Sequence, residues 1–163
     1  MNGLLLRAVL AFLLLPGVVA FLVPLLLAPT GPRSFDLVRG LVPLTLGMTG
    51  LLWCVREFYV AGRGTLAPWA PPQALVVTGL YRFSRNPMYI AVLLLLSGWA
   101  LAFTSSPLAV YAVAMLIVFH IRVVLFEEPW LAEKHGLDWL KYKDQVPRWG
   151  WTKTFRLKKD SHR

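Results

Sequence analysis

The sequence has few of the residues that support a soluble or cross-linked protein. Its single cysteine, Cys54, excludes an internal disulfide and a cysteine-cluster metal site. Charged residues make up only 15% of the 163 residues, whereas soluble domains carry about a quarter. No internal repeat and no low-complexity stretch is present. The length favours a single domain, and the low charge favours a membrane protein.

Hydrophobic residues account for 57% of the chain and are concentrated in long blocks. A helix that crosses a bilayer needs roughly 20 apolar residues, with about 17 as the lower limit. The first block is too long for the apolar core of a typical signal peptide, so we interpret it as a retained span. The third block is marginal, and we expect a short or tilted helix there. The four blocks run from about Leu4 to Ala28, Leu41 to Val60, Met88 to Phe103 and Leu108 to Phe126.

This pattern predicts an all-α, polytopic membrane protein with about four transmembrane helices. Residues 1–60 would form an N-terminal transmembrane hairpin. Residues 61–163 would supply a connector, a second transmembrane hairpin and a C-terminal cofactor-binding segment within one membrane domain. The connector, residues 61–80, is rich in glycine and proline and cannot be a continuous helix.

The second hairpin is expected to turn tightly at residues 104–107, because only four residues separate its apolar blocks. Pro107 is expected to open the fourth helix in its first turn. After that helix, residues 127–145 predict an amphipathic helix, which Pro129 and Gly136 would divide into two short pieces.

The formal net charge of +9 indicates either nucleic-acid binding or the excess of cytoplasmic basic residues in membrane proteins. The turn at residues 104–106 has no charge, whereas the connector and the C-terminal segment are basic. We therefore discount nucleic acid, place both termini and the connector in the cytoplasm, and expect the basic tail to face anionic lipid headgroups. The residues behind this assignment are Arg56, Arg63, Arg82, Arg85, Arg148, Lys153, Arg156, Lys158, Lys159 and Arg163.

Two polar clusters, residues 79–89 and 127–149, bracket the second hairpin. Because a hairpin returns the chain to the side it left, both clusters should meet at the cytoplasmic face. Arg82 and Arg85 suit a carboxylate. The adjacent acids Glu127 and Glu128 would repel each other if buried, and a ligand ammonium would relieve that cost.

Aromatic side chains in both clusters offer flat surfaces for a planar ring or a ligand cation. The assembled site would therefore accept an amphiphile that carries a carboxylate, an ammonium and a ring. Arginines that reach lipid headgroups and aromatic belts at a membrane interface are the alternative interpretation. The aromatic residues are Tyr81, Tyr89, Trp130, Trp139, Tyr142 and Trp149.

The order of these residues narrows the choice. The first cluster has the spacing Gly79, Tyr81, Arg85, Asn86, Pro87, Tyr89, and the second has Glu127, Glu128, Leu131, Gly136, Trp139, Tyr142, Val146, Pro147, Arg148. Over residues 77–150 the sequence resembles the isoprenylcysteine carboxyl methyltransferase and phospholipid methyltransferase superfamily. It departs from that pattern at Asn86, where the prenylcysteine enzymes have His, at His135 in place of Phe and at Trp139 in place of Tyr. Relatives tend to carry an arginine one turn before the acid pair, whereas Arg122 lies five residues before Glu127.

The resemblance implies an S-adenosylmethionine-dependent methyltransferase that needs no metal and acts on a lipophilic acceptor. An isoprenylcysteine-type carboxylate is the preferred acceptor and a phospholipid amine the alternative. A nicotinamide-dependent sterol reductase and a non-enzymatic membrane module are the other interpretations. The residues that the resemblance assigns to the cofactor are Tyr81, Arg85, Asn86, Pro87, Tyr89, Glu127, Glu128, Trp139 and Tyr142, with Glu127, Arg122 and Arg148 as catalytic candidates.

Overall fold

The computed structural model describes residues 13–29, 36–62 and 74–150, which are helical with no strand. Helix α1 is a π-helical stretch, Leu13–Leu22, that continues as an α-helix, Val23–Leu27. Helix α2 is Leu37–Val60, and a short 3₁₀ turn, Gly79–Arg82, precedes α3, Pro87–Ala102. Helix α4, Ser106–Arg122, runs through a π-helical turn, Val123–Glu127, into α5, Glu128–Gln145. The all-helical prediction is confirmed for these residues.

Only two of the helices in the described ranges are long and apolar enough to cross a membrane, α2 and the continuous run Ser106–Gln145. The prediction of about four such helices is therefore wrong in number there. Helix α3 has 16 residues, and at about 1.5 Å per residue it is shorter than the roughly 30 Å hydrocarbon core. In the first block, the described apolar helix is also short, Pro16–Leu27. The start of that block, most of the connector and the basic tail lie outside the described residues.

Helix α2 begins four residues before the predicted start because Asp36 caps it. The Asp36 carboxylate accepts a hydrogen bond from the Val38 N–H at 3.1 Å and pairs with Arg39 at 3.0 Å. Such a cap satisfies an N–H group that the helix itself leaves without a partner. The Asp36 N–H donates to the Ala102 carbonyl at 2.8 Å, which ties the start of α2 to the end of α3.

Helices α2 and α3 pack antiparallel through small residues. A Cβ atom added at Gly40 would lie 2.5 Å from the Gly98 carbonyl oxygen, and one at Gly47 would lie 2.7 Å from the Ala91 carbonyl oxygen. Contacts this close are possible only without side chains, which is how small residues bring membrane helices together. This packing sets the position of α3, from which the first polar cluster extends.

The hairpin between α3 and α4 turns through a Schellman motif, as tight as predicted. The Ser105 N–H donates to the Ala100 carbonyl at 3.0 Å, and the Thr104 N–H donates to the Leu101 carbonyl at 3.2 Å. Thr104 takes the left-handed conformation, φ +46°, that this motif requires at its end. Pro107 lies in the first turn of α4, as expected.

Helix α1 is joined to the hairpin by side-chain hydrogen bonds to its backbone. Pro24 has no N–H to offer the Ala20 carbonyl four residues earlier, and the Trp99 indole donates to that carbonyl at 2.9 Å. The Tyr111 hydroxyl likewise donates to the Val19 carbonyl at 3.2 Å. A neighbouring helix thus satisfies a carbonyl that proline leaves free in an apolar surrounding.

The amphipathic helix predicted over residues 127–145 is observed as α5. Gly136 divides it, since its backbone at φ +49° and ψ −120° is not helical. Pro129 does not divide it, and that part of the prediction is wrong. Pro129 occupies the first turn of α5, where a residue without an N–H is tolerated.

Candidate active site

The two polar clusters meet at one end of the α3–α4 hairpin. The first lies on the 3₁₀ turn and the start of α3, and the second lies on the π-helical turn, α5 and the residues after it. Three hydrogen bonds to backbone carbonyls join the two clusters. The Arg85 N–H donates to the Pro147 carbonyl at 2.9 Å, the Asn86 side-chain amide to the Arg148 carbonyl at 3.0 Å, and the Tyr142 hydroxyl to the Tyr81 carbonyl at 2.7 Å.

Glu128 is at the centre of the first group of charges. Its carboxylate receives two parallel hydrogen bonds from Arg148, Nε to Oε1 at 2.6 Å and Nη2 to Oε2 at 2.9 Å. Arg85 approaches the same carboxylate, with Nη1 3.0 Å from Oε1. The Glu128 and Arg85 side chains are only 10% and 8% exposed. Bidentate pairing of this kind is among the stronger polar contacts in proteins, so it fixes the position of Glu128.

Arg85 is the residue with unused hydrogen-bonding capacity. Its Nη1 lies within ion-pair distance of Glu128, yet the directions of its N–H bonds leave both Nε and Nη1 buried without an acceptor among the described residues. Its guanidinium carbon lies 5.5 Å from the centre of the Trp139 ring. Burial lowers the pKa of Arg85, and the neighbouring Glu128 carboxylate opposes that shift. The hydrogen bond to Glu128 raises the pKa of Arg148, so this group holds two cations against one carboxylate.

A second group contains Tyr89, Arg122 and Glu127. The Arg122 Nε donates to Glu127 Oε1 at 2.8 Å and to the Tyr89 hydroxyl at 3.1 Å. The Tyr89 hydroxyl donates to the same Glu127 oxygen. The Tyr89 ring stacks on Phe119 of α4 with ring centres 4.5 Å apart. Arg122 remains 56% exposed and Glu127 31% exposed, so this pair is open to a ligand.

The π-helical turn explains why Arg122 contacts Glu127 across five residues. In a π-helix the hydrogen bond joins residues five apart, and here the Glu128 N–H donates to the Val123 carbonyl. Side chains five apart therefore lie on the same face. The usual spacing of one α-helical turn does not predict this contact, since Arg122 lies further from Glu127 in the sequence than one such turn.

The remaining candidates lie around these two groups. Trp139 and Tyr142 are each 2% exposed and form a small core with Val146. The Tyr81 ring packs against Phe58 of α2, with ring centres 5.5 Å apart, and its carbonyl accepts a hydrogen bond from the second cluster. Pro87 opens α3 and is buried.

Sequence reasoning gave no role to Ser84 and did not anticipate the contact between Trp149 and His120. Ser84 is fully buried, and its hydroxyl lies 3.4 Å from both the Arg148 carbonyl and the Asn86 N–H. The Trp149 indole donates to Nδ1 of His120 at 3.1 Å. Ser84 lies between the motif residues at a position that the motif does not specify, and no spacing signal marks it.

An apolar groove of about 290 Å³ adjoins the site. Two of its lining residues directly follow site residues in the chain, Ile90 after Tyr89 and Trp149 after Arg148. The groove therefore runs along the α3–α4 hairpin next to the segments that carry the site. Its lining residues are Ile90, Leu93, Leu94, Ser97, Leu116 and Trp149.

A comparison with protein families gives one match. The family model described as phospholipid methyltransferase covers residues 37–138, more than half of the chain. The matched region contains α2, the first cluster, the hairpin and the acid pair, and it ends within α5. No curated protein and no solved structure matches the chain.

Proposed function

Since the chain belongs to the phospholipid methyltransferase family, we propose that it transfers a methyl group from S-adenosylmethionine to a lipophilic acceptor at a membrane interface. The family supports methyl transfer by a membrane enzyme. Two helices with the length and apolar character of spans agree with that setting. The proposal goes further in three respects: the identity of the methyl donor, the identity of the acceptor, and the side of the membrane on which the site lies.

The observation that carries the choice of donor is the buried Arg85 guanidinium, whose Nε has no acceptor among the described residues. A buried donor without an acceptor is costly, and a ligand carboxylate would supply one. It would also balance the second cation of the Arg85–Glu128–Arg148 group. The carboxylate of S-adenosylmethionine has this chemistry, so we assign Arg85 to it.

Glu127 is the better of the two acids for the ammonium of the donor. Glu128 already pairs with two arginines. Among the described residues, Glu127 has one arginine partner, Arg122, and a hydrogen bond from Tyr89, and it is more exposed. The other cofactor candidates, Asn86, Pro87, Trp139 and Tyr142, are proposed to hold the walls of the site. Tyr81 would do so through its carbonyl, and Tyr89 through its hydroxyl on Glu127.

When bound, S-adenosylmethionine supplies a methyl group on a positively charged sulfur, which becomes a neutral thioether once the acceptor has taken the methyl. The protein contributes alignment and exclusion of water. Arg122 is exposed enough to orient an acceptor carboxylate, and a carboxylate needs no base. Arg148 is proposed to assist by fixing Glu128.

The acceptor is proposed to place its apolar chain in the groove between α3 and α4, entering sideways from the lipid. An isoprenylcysteine-type carboxylate fits the exposed guanidinium of Arg122. A phospholipid amine is the second candidate, favoured by the description of the matching family. An amine must be neutral to react, and Glu127 would then act as the base.

We propose that the site faces the cytoplasm, with both termini on the same side, because basic residues flank the connector and follow α5. The surrounding lipids are the expected partners. The two-part organisation, residues 1–60 and 61–163, is retained in this proposal, with the second part holding the site.

The donor is tested by calorimetric binding of S-adenosylmethionine to the detergent-purified full chain. Arg85→Gln should weaken binding about 30-fold or more, because it removes charge-assisted hydrogen bonds. Glu128 keeps Arg148 in this variant, so the variant should fold. Arg39→Gln is the matched control, because Arg39 pairs with Asp36 at the start of α2 and is not part of the site. A folded wild-type protein that binds no S-adenosylmethionine would refute the proposal, and binding of a reduced nicotinamide cofactor instead would favour a reductase.

The acceptor is tested with radiolabelled methyl donor and two acceptors in separate micelles, a prenylated cysteine and phosphatidylethanolamine. A methyl ester releases its label as methanol in alkali, whereas a methylated amine does not. Alkali-labile label from the first acceptor supports the carboxylate. Alkali-stable label from the second would overturn that choice in favour of the amine.

A further inference from the structure

Helix α2 carries a buried carboxylate that neither polar cluster includes. Glu57 lies in its last turn and is only 7% exposed. The Thr78 hydroxyl donates to Glu57 Oε2 at 2.5 Å, and Arg56 donates to Oε1 at 3.1 Å. The Arg56 side chain is 67% exposed, so its pairing is screened by solvent. Among the described residues, Thr78 is therefore the less solvent-screened partner of Glu57.

The residue after Thr78 packs directly on the same carboxylate. Gly79 has a positive φ of +56°, and a Cβ atom there would lie 2.8 Å from Cγ and Cδ of Glu57 and 2.9 Å from Nε1 of Trp53. Any side chain at this position would collide with Glu57. The glycine that opens the first polar cluster is thus required by the approach to α2 as well as by its backbone angle.

The 3₁₀ turn that packs on Glu57 is followed in the chain by Arg85 of the site. Tyr81, two residues after Gly79, offers its carbonyl to Tyr142. Arg85 follows and bonds through its backbone to Pro147. A continuous path of contacts therefore runs from Glu57 through Thr78 and the 3₁₀ turn to Arg85.

We propose that Glu57 is a positioning residue for the methyl-donor site. It holds the 3₁₀ turn against α2 and so sets the position of the Arg85 guanidinium. This inference rests on the proposed function, because donor binding is its most direct measure. Glu57 itself contacts Thr78, Arg56 and Gly79 and none of the charged residues that we assign to the donor.

The test compares two substitutions at Thr78. Thr78→Val keeps the shape and removes the hydroxyl, and it should raise the Kd for S-adenosylmethionine about tenfold, which corresponds to about 1.4 kcal/mol. Thr78→Ser keeps the hydroxyl and should bind within about twofold of wild type. Thr45→Val is the matched control, because the Thr45 hydroxyl donates only within α2, to the Leu41 and Val42 carbonyls. A lower melting temperature in Thr78→Val with an unchanged Kd would overturn the proposal in favour of a purely structural role.

A second pair of variants addresses the carboxylate. Glu57→Gln keeps an oxygen for Thr78 and should retain most of the affinity, whereas Glu57→Ala should lose tenfold or more. Equal affinities for both variants and wild type would contradict the assignment.

Hydrogen–deuterium exchange of the ligand-free protein separates this proposal from the function on which it rests. Thr78→Val should speed exchange in residues 79–86 and 142–148, while Thr45→Val should not. If wild type binds no S-adenosylmethionine, the function fails, and the exchange result still decides whether Glu57 positions the turn. Unchanged exchange would reject the positioning role by itself.

Discussion

The α2–α3 contact and the polar site are held together by opposite means. The contact between the helices depends on missing side chains, at Gly40, Gly47 and Gly98. The site depends on charged side chains that share buried partners, with Glu128 between Arg85 and Arg148. In an apolar surrounding, shape alone can hold helices together, whereas charges must be paired to be buried at all. Substitutions should therefore affect stability in the first region and both stability and binding in the second.

The largest effect is expected from Glu128→Gln. It leaves two guanidinium groups without a carboxylate, and breaking a buried pair in this way costs about 3–5 kcal/mol. Methyl transfer should fall more than about 100-fold and the melting temperature should drop. Glu133→Gln, at an exposed position of α5, is the control for charge removal. Near-normal transfer by the Glu128 variant would mean that the charged group is not part of the site.

Gly47→Ala should distinguish the role of the α2–α3 contact from that of the polar site most clearly. The added methyl would meet the Ala91 carbonyl at 2.7 Å, and such overpacking costs about 1–3 kcal/mol. The melting temperature should fall while the affinity of the folded fraction for S-adenosylmethionine stays the same. Gly50→Ala, where the new atom would lie 3.3 Å from the Ala91 side chain, should have a smaller effect. A loss of affinity in Gly47→Ala would show that the packing reaches into the site.

Tyr89→Phe should act on transfer alone. It removes the hydroxyl shared by Glu127 and Arg122 and keeps the ring that stacks on Phe119. We expect kcat to fall about tenfold, equivalent to about 1.4 kcal/mol, with little change in stability. Tyr111→Phe removes a hydroxyl from α4 that bonds to α1 and should leave kcat unchanged. The expectation fails if both variants have the same kcat.

Trp149→Phe should give the smallest effect. It removes the hydrogen bond to His120 and replaces the indole in the groove wall with a smaller ring. The KM for the acceptor should change about threefold, because the free energy of one modest hydrogen bond corresponds to a change of that size. The affinity for the donor should stay constant. Steady-state kinetics with acceptors of two chain lengths measures this. A change in donor affinity instead would place Trp149 in the donor site.

Much of the fold was predictable because its signals are local in the sequence. The apolar blocks predict helices, Pro107 predicts a helix start and Gly136 predicts a helix break. The helices α2 and α5 and the tight hairpin agree with those signals. The count of spans was overestimated, although the length of the third block already indicated a short helix, and α3 has 16 residues. The site candidates were found by motif spacing, but their contacts were not. Spacing in units of an α-helical turn does not place Arg122 beside Glu127, and no spacing links Glu57 to Thr78.

The sequence by itself determined the helical class, the hairpin and the set of residues that gather at its end, because periodicity, proline and glycine act locally. Only the tertiary structure decided which charges pair. Arg85 and Arg148 share Glu128, Arg122 takes Glu127 through a π-helical turn, and Glu57 on α2 holds the turn that carries the first motif. These pairings depend on distances between segments far apart in the chain. Such distances are set by how closely the helices pack, and no single segment encodes them.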